Sequence, residues 1–465
     1  MRPTAIPRLL PALLLASMLP AQAIDWSDPL ASRAMLGSRV PACHESAVEN
    51  LSLADAVNRA LCSHPQTRSS WAAAQAQAAQ LGVARAAQLP TLSANLSADR
   101  QYQGGFASNQ SNTTSTGFSA GASLSYLLYD FGSRDAKEES ARQVLNAALG
   151  SLDSTQQSVF LSAATAYFQV QGSESTIAAT RAAEQNAEQN LKAATARHLA
   201  GTATPLDKLQ AQTAYSQAQL NRIKAEGEAR NQRATLANAM GLVPTTPFSL
   251  AATSPLQADD SFLQNVEKLI DAARQSRPDL AAAEAQVKAA RANVQAARAD
   301  EKPTISLFAT PGITKNNPGS NSHSTTVGVQ VSIPLFSGFA PTYRTQAAEM
   351  TLLGKEADRD NLAQQVALDV VKAHNTLNTS SQTLKTTQDL LKSATQAHAV
   401  AHGRYSAGVG TFLDLLDAQS KLDDARAQEI QARLNWQIAR FTLAQALGQL
   451  KPDFLTSSRT VRTTP

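Results

Sequence analysis

Two kinds of hydrophobic pattern alternate along the chain, and the one that covers the longer segments is helical. From Asp135 to Leu199 no proline interrupts the sequence, and apolar residues recur every seven positions on two parallel series. This repeat predicts a coiled-coil-like helix, and roughly sixty residues at about 1.5 Å each make a rod of roughly 100 Å. The second half of the chain has the same pattern. The first-half series are Leu145, Leu152, Val159 and Ala166, and Leu149, Ala163, Val170, Ile177 and Leu191; those of the second half are Val366, Ala373 and Ala394, and Val370, Leu377, Leu384 and Leu391.

Four shorter segments alternate apolar and polar residues with a period of two, which predicts strands. They cover about 91–99 and 117–127 in the first half and about 304–310 and 325–334 in the second. The Gly-, Ser-, Asn- and Thr-rich segments 103–116 and 311–324 predict the exposed loops of two hairpins. Such strands fit a transmembrane barrel and equally a half-buried soluble sheet. Aromatic residues are expected near the strand ends and suit either a membrane-interface girdle or packing between sheet and helices. They are Tyr102, Phe106, Tyr126, Tyr129, Phe131, Phe308, Phe336 and Phe339.

The two halves are related by a tandem duplication. Each residue of one motif recurs 207 positions later, and Pro90-Thr91-Leu92-Ser93 matches Pro303-Thr304-Ile305-Ser306 at an offset of 213. The motif pairs are Arg197 and Arg404, Gly201 and Gly408, Thr204 and Thr411, and Asp207 and Asp414. We therefore predict a first repeat over 51–242, a proline-containing linker over 243–260, a second repeat over 261–450 and a C-terminal tail over 451–465.

The N-terminus has the pattern of a cleaved signal peptide. Arginines at positions 2 and 8 precede a short apolar run and the small-residue site Ala21-Gln22-Ala23. We expect cleavage after Ala23, which leaves an N-terminal extension over 24–50. Because an exported chain meets an oxidising compartment, its two cysteines, Cys43 and Cys62, are expected to form a disulfide.

Composition excludes several functional classes. Aromatic residues make up only 5% of the chain, which favours long thin helices over a bulky core, and the formal charge of +4 gives no support for nucleic-acid binding. His398 and His402 lie one helical turn apart but lack the glutamate of a zinc protease, so a solvated helix face is the better interpretation. The Gly408-Val409-Gly410 segment follows a helix rather than a strand, so no nucleotide-binding loop is predicted. We therefore expect no enzymatic activity and no cofactor.

The strands restrict the oligomeric state if they lie in a membrane. Four strands cannot close on themselves, and an open edge in lipid leaves backbone groups unpaired at a cost of several kcal/mol each. Two chains would give about eight strands and a filled barrel, whereas three would give about twelve, wide enough for a lumen.

The sequence from Leu51 to Leu450 resembles the TolC-like outer-membrane efflux proteins. The resemblance rests on the duplication, on the two strands inserted in each half, and on the segments Tyr405-Ser406-Ala407-Gly408 and Thr411-Phe412-Leu413-Asp414-Leu415-Leu416-Asp417-Ala418. The stretch from Leu51 to Pro65 is most similar to members that serve type I toxin secretion. The resemblance implies a mainly α fold with a transmembrane β-barrel: a homotrimer with a twelve-stranded barrel in outer-membrane lipid and a periplasmic helical tunnel. It also implies a periplasmic adaptor and an inner-membrane ABC or proton-driven pump as partners.

The same resemblance implies a gate at the tips of the helical hairpins. Asp414 and Asp417 match the aspartates that narrow the periplasmic end, where converging carboxylates attract cations. Thr411 is also a natural N-cap, and Asp414 stands where a capping box places its acid, so capping and gating are compatible for Asp414. Asp207 and Tyr405 match two residues of the links that hold the tips shut, but Gly410 stands where the family has an arginine.

A structural function is the alternative class. A periplasmic coiled-coil scaffold or adaptor would use the same helices, with the strands forming a soluble domain. It predicts a protein that is soluble without detergent, whereas the channel predicts heat-modifiable trimers in outer-membrane fractions.

Overall fold

The computed structural model describes residues 28–36, 49–104, 113–251 and 266–450. A short 3₁₀ helix, Ser32–Leu36, precedes the first repeat. The first repeat contains α1 (Leu53–Ser63), α2 (Pro65–Ala86), β1 (Thr91–Gln103), β2 (Thr113–Tyr129), α3 (Ser133–Leu199) and α4 (Pro205–Ala239). The second contains α5 (Val266–Ser276), α6 (Pro278–Ala299), β3 (Thr304–Asn317), β4 (Ser322–Ser332), α7 (Ala340–Ser406) and α8 (Phe412–Ala446).

The helix lengths confirm the duplication. The corresponding helices have the same lengths in the two halves: 11 residues in α1 and α5, 22 in α2 and α6, 67 in α3 and α7, and 35 in α4 and α8. Each half is therefore one helical hairpin of a long and a shorter rod, with two short helices and two strands placed before the long rod. None of the helices in the described part of the chain is both long enough and apolar enough to cross a bilayer.

Most members of the predicted seven-residue series lie on the buried faces of the rods, whereas Ile177, Leu191, Leu391 and Ala394, nearer the tips, are half-buried. Leu145, Leu152, Val159 and Val170 are at most 3% exposed in α3, and the corresponding α7 series packs with α5 and α8 in a separate core. The first-half core joins α1, the middle of α3 and the end of α4 to the end of α8. Trp436, at the centre of the α7–α8 packing, is only 1% exposed. Apolar burial along the rods therefore holds each hairpin together and the two hairpins to one another.

The four strands form one antiparallel sheet in the order β1-β2-β3-β4, and the predicted loop boundaries are wrong at both hairpins. β2 begins at Thr113, inside the predicted loop 103–116, and most of the predicted loop 311–324 is strand, so that only 318–321 separates β3 from β4. Backbone pairing such as Thr116 with Asn317 extends the strands into polar sequence, where hydrophobic alternation gives no signal. Pairing between β2 and β3 is interrupted opposite 310–311, where Pro311 has no N–H to donate.

The strand register separates an apolar face from a polar one. Leu92 lies opposite Leu124, Leu124 opposite Ala309, and Ala309 opposite Val327, so one apolar row crosses all four strands. Directly opposed residues in an antiparallel sheet share a face; Leu92 and Val327 on the outer strands are exposed in the single chain, and Leu124 and Ala309 are half-buried. On the other face, hydroxyl pairs cross from β1 to β2: Ser93 with Ser123 at 2.7 Å and Ser97 with Ser119 at 2.6 Å.

The aromatic residue Phe308 departs from the expected position near a strand end. It lies in the middle of β3 on the polar face, directly opposite Gly328. A Cβ atom at position 328 would lie 2.8 Å from the end of the Phe308 ring, so the glycine leaves the space that the ring occupies. The ring therefore packs over backbone and is not part of an aromatic girdle.

Cys62, in α1, is disulfide-bonded in the structure, whereas Cys43 lies outside the described residues. Pairing of the two therefore stays a prediction. We expect the Cys43→Ser/Cys62→Ser double variant to lose about 3 kcal/mol of stability, because the bridge would close a loop of about twenty residues in the unfolded chain. Thermal unfolding with and without reductant measures the loss. Two free thiols in the exported wild-type protein, detected by alkylation and mass spectrometry, would contradict the pairing.

Candidate gate at the helical hairpin tips

The two hairpin tips are built in the same way. Gly201 and Gly408 both have φ +74°, which lets the chain turn sharply after each long rod. The next helix then begins with a capping box, as the sequence predicted: Thr204 with Asp207 at the start of α4, and Thr411 with Asp414 at the start of α8. These reciprocal hydrogen bonds fix the backbone of both turns.

The two gate candidates, Asp414 and Asp417, are exposed at the start of α8. The hydrogen bonds of Thr411 to the Asp414 carboxylate lower the pKa of Asp414, so this group is ionised at neutral pH. Asp417 accepts a hydrogen bond of 2.6 Å from the Nζ atom of Lys421, one turn further along α8. Sequence reasoning missed Lys421, although a lysine four residues after an aspartate is a recognisable helix pair. Each copy therefore brings two carboxylates and one nearby ammonium to the tip.

The two latch candidates are at the tips, but no hydrogen bond in the described part of the chain joins them. The Asp207 carboxylate accepts from the backbone N–H and the hydroxyl of Thr204, at 2.9 Å each. The Tyr405 ring is 8% exposed and packs against the Phe412 ring, with 5.5 Å between centroids. A Cβ atom at Gly410 would lie 3.0 Å from the Arg404 Cβ atom, so a side chain at position 410 would require a small local shift.

A different arginine joins the tips. Arg197, near the end of α3, donates from Nη1 to the Tyr405 carbonyl at 3.1 Å and from Nη2 to the Ser406 carbonyl at 3.4 Å. Its guanidinium carbon also lies 4.2 Å from the centre of the Tyr405 ring. The sequence pairs Arg197 with Arg404 through the duplication but does not show that Arg197 contacts the second hairpin, because spacing carries no information on side-chain reach.

A small apolar cluster supports this contact. Ala194 of α3 and Ala211 of α4 pack with Tyr405, Phe412 and Leu415 of the second hairpin. The Leu415 side chain has no exposed surface, and Ala194 and Ala211 are at most 1% exposed. The tips of all four long helices therefore meet in one protomer.

Above the tips, a cleft of about 430 Å³ separates the two hairpins. Its wall includes Gln419, 7% exposed, whose amide donates to both carboxylate oxygens of Asp423 at 2.9 and 3.0 Å. Burial raises the pKa of Asp423, although these hydrogen bonds and the charge of Arg426 act in the opposite direction. Burial, together with repulsion from His402, lowers the pKa of His398. Sequence reasoning missed this polar group: the spacing of Gln419 and Asp423 on α8 could have indicated their pair, whereas His398 joins them only when α7 packs on α8.

The structure corrects the interpretation of His398. It is half-buried towards α8, whereas His402 is exposed, so only one of the two histidines lies on a solvated helix face. Their rings are 6.1 Å apart. Within the described ranges, no group of three or more His, Cys, Asp or Glu residues is placed to hold a metal ion.

The chain as a whole matches a known family of channels. The model of the outer membrane efflux protein family matches residues 56–242 and 269–449, one segment in each repeat, and the chain belongs to this family. It is therefore a TolC-like outer-membrane efflux channel whose long helices form the periplasmic tunnel.

Individual relatives agree with this assignment. The chain is 29% identical to Protein CyaE of Bordetella pertussis over 411 residues, which cover 87% of this chain and 85% of the relative. It is 26% identical to outer membrane protein TolC of Escherichia coli strain K12 over 421 residues, 85% of this chain and 82% of TolC. The Campylobacter jejuni CmeC outer membrane channel has the same fold, with a TM-score of 0.77 at 16% identity, over 87% of this chain and 88% of CmeC. These relatives favour the channel over a periplasmic scaffold.

Proposed function

We propose that three copies of this chain close into a twelve-stranded outer-membrane barrel continued by a helical tunnel, through which cargo leaves the cell. The observation that carries the proposal is the open sheet: β1 and β4 are its outer strands, and neither has a second neighbouring strand among the described residues. An outer strand in lipid leaves backbone N–H and C=O groups unpaired. Pairing β4 of one copy with β1 of the next satisfies both edges, and three copies close a barrel wide enough for a lumen.

The apolar face of the sheet supports a place in lipid. Leu92 and Leu96 on β1 are 74% and 75% exposed in the single chain, and Val327 on β4 is 67% exposed. A monomeric soluble protein rarely exposes such a continuous apolar patch. The polar face, with its serine pairs, would then line the lumen.

Aromatic residues at the end of the sheet nearest the helices support the same orientation. Tyr129 packs edge to face with Phe131, with 4.8 Å between ring centroids, and Phe336 packs in the same way with Phe339 at 5.5 Å. All four side chains are more than 40% exposed. Exposed aromatic rings at the end of a barrel wall suit the boundary between lipid and water.

The hairpin tips support docking to other proteins at the periplasmic end. Large apolar side chains are exposed on both tips, among them Leu199 at 82%, Leu206 at 61% and Val409 at 68%. We infer that a periplasmic adaptor covers this surface and that an inner-membrane ABC or proton-driven pump supplies the energy. The cargo is a drug or a secreted protein, and three copies of Asp414 and Asp417 narrow its entrance.

Fractionation of cells that express the full-length protein tests the proposal. We expect the protein in the outer membrane, released by detergent as a complex whose chemical cross-linking ladder ends at three chains. Boiling should convert this complex to the monomer on a denaturing gel, because the barrel strands resist the detergent until heated. A monomer in the detergent-free periplasmic extract would overturn the channel and favour the scaffold.

A further inference from the structure

The end of α7 lacks part of the local hydrogen bonding that completes α3. At the α3–α4 turn, the carbonyl of Arg197 accepts from the Thr202 backbone N–H at 2.9 Å and from the Thr202 hydroxyl at 3.1 Å. The duplication places Val409 where Thr202 stands, and valine has no hydroxyl to donate. The last carbonyls of a helix need partners, and they form the negative end of its dipole. The Arg404 carbonyl therefore keeps only the Val409 backbone N–H, at 3.0 Å, while the next carbonyl, that of Tyr405, accepts from the Gly408 N–H at 3.1 Å. A carbonyl oxygen has two lone pairs, so these last carbonyls of α7 can also accept from outside the turn.

Arg197 donates to the two carbonyls that follow Arg404 at this helix end. Its guanidinium supplies two N–H groups to the Tyr405 and Ser406 carbonyls and lies against the face of the Tyr405 ring. These are charge-assisted hydrogen bonds at the negative end of a helix, combined with a cation–π contact. Within the described residues no hydrogen bond runs in the opposite direction, from the counterpart Arg404 to the first hairpin, and Arg404 is exposed.

We propose that Arg197 holds the α7–α8 tip against the α3–α4 tip, in place of an arginine at position 410, and that the periplasmic entrance widens when this contact breaks. The widening of the entrance rests on the proposed channel function. The contact between the tips does not, because Arg197, Tyr405 and Ser406 belong to one chain. Arg197 is a positioning residue, and cargo need not touch it.

The proposal differs from a latch through the Tyr405 hydroxyl. Arg197 contacts the Tyr405 ring and its backbone carbonyl, and Tyr405→Phe preserves both. The hydroxyl has no hydrogen bond in the described part of the chain. Tyr405→Phe should therefore leave the tips closed, whereas a latch from Asp207 to the Tyr405 hydroxyl predicts that this variant opens.

Hydrogen exchange of the purified full-length protein tests the contact itself. In Arg197→Ala we expect the amides of residues 405–411 to exchange about tenfold faster, as the loss of charge-assisted hydrogen bonds would allow. Peptides from α1 and α2 should be unchanged, which shows that the fold is intact. Lys208→Ala is the matched control, since it removes a positive charge from an exposed position on the same tip. Wild-type exchange at 405–411 in Arg197→Ala, or an equal increase in Lys208→Ala, would overturn the proposal.

A second variant and a second measurement complete the test. If Arg197→Ala exchanges faster throughout the chain, Arg197→Lys decides: it keeps the charge but loses the paired donors, so only 405–411 should exchange faster, and wild-type protection there would overturn the proposal.

In planar bilayers, Arg197→Ala should have a larger single-channel conductance than wild type, and Tyr405→Phe should not. An opening effect in Tyr405→Phe with none in Arg197→Ala would also overturn it. A wild-type protein that forms no channel would defeat the proposed function, while hydrogen exchange would still decide the contact.

Discussion

Replacing Val329 with arginine should destabilise the assembled protein by roughly 2–4 kcal/mol, the cost of a cation near the middle of the lipid face of a barrel. Val329 is 61% exposed on β4, opposite Leu307 on the apolar face of the sheet. The yield of heat-modifiable trimer in outer-membrane fractions, together with its midpoint in urea, measures the effect.

The neighbouring residue is a control for this variant. Gln330 lies one position further along β4, opposite Ser306, and therefore points to the polar face. Gln330→Arg introduces the same charge and bulk on the same edge strand but should be tolerated, because it would face a water-filled lumen. If both variants assembled equally well, the apolar face of the sheet would not lie in lipid.

Replacing Asp417 with asparagine should weaken block of the closed channel by multivalent cations added from the periplasmic side. Three copies of Asp414 and Asp417 would bring six carboxylates to one axis, and the variant removes three of those charges at short range. We expect about a tenfold loss in blocking affinity, because charge interactions are strong in a narrow passage. Folding should survive, since the capping box uses Asp414 and not Asp417. Planar-bilayer recordings of the purified channel measure block and ion selectivity.

Two further variants separate the carboxylates from the cap and from the lysine. Asp414→Asn should also weaken block, with a small loss of stability because it weakens the hydrogen bonds to Thr411. Lys421→Ala should strengthen block, because it removes the ammonium that pairs with Asp417 at 2.6 Å. Wild-type selectivity and block in the Asp414→Asn/Asp417→Asn variant would show that these residues do not form the gate.

The helical part of the fold could be predicted from the sequence because each rod is fixed by its own repeat. Burial of Leu145 and Leu152 follows directly from their seven-residue spacing, and the positions of the two turns follow from Gly201 and Gly408. The strand ends could not be predicted, because polar residues such as Asn317 are held by pairing with a neighbouring strand. Sequence propensity is weak where tertiary pairing decides the structure.

The tip was predictable in its backbone but not in its side-chain contacts. The capping box of Thr411 and Asp414 follows from spacing alone. The partner of Tyr405 does not, because Arg197 and Tyr405 are 208 positions apart and meet only after both hairpins have packed.

The equal lengths of the paired helices restrict how this protein can evolve. From Thr91 to Ser133 the first half advances 42 positions, and from Thr304 to Ala340 the second advances 36, so the halves have drifted apart in length on the sheet side. The long helices that follow have equal lengths in the two halves, with 67 residues in α3 and 67 in α7. One extra heptad in a single rod would displace its tip by about 10 Å and separate Arg197 from Tyr405. An insertion in one rod alone would therefore pull the two tips out of contact, whereas on the sheet side the two halves already differ by 42 − 36 = 6 positions.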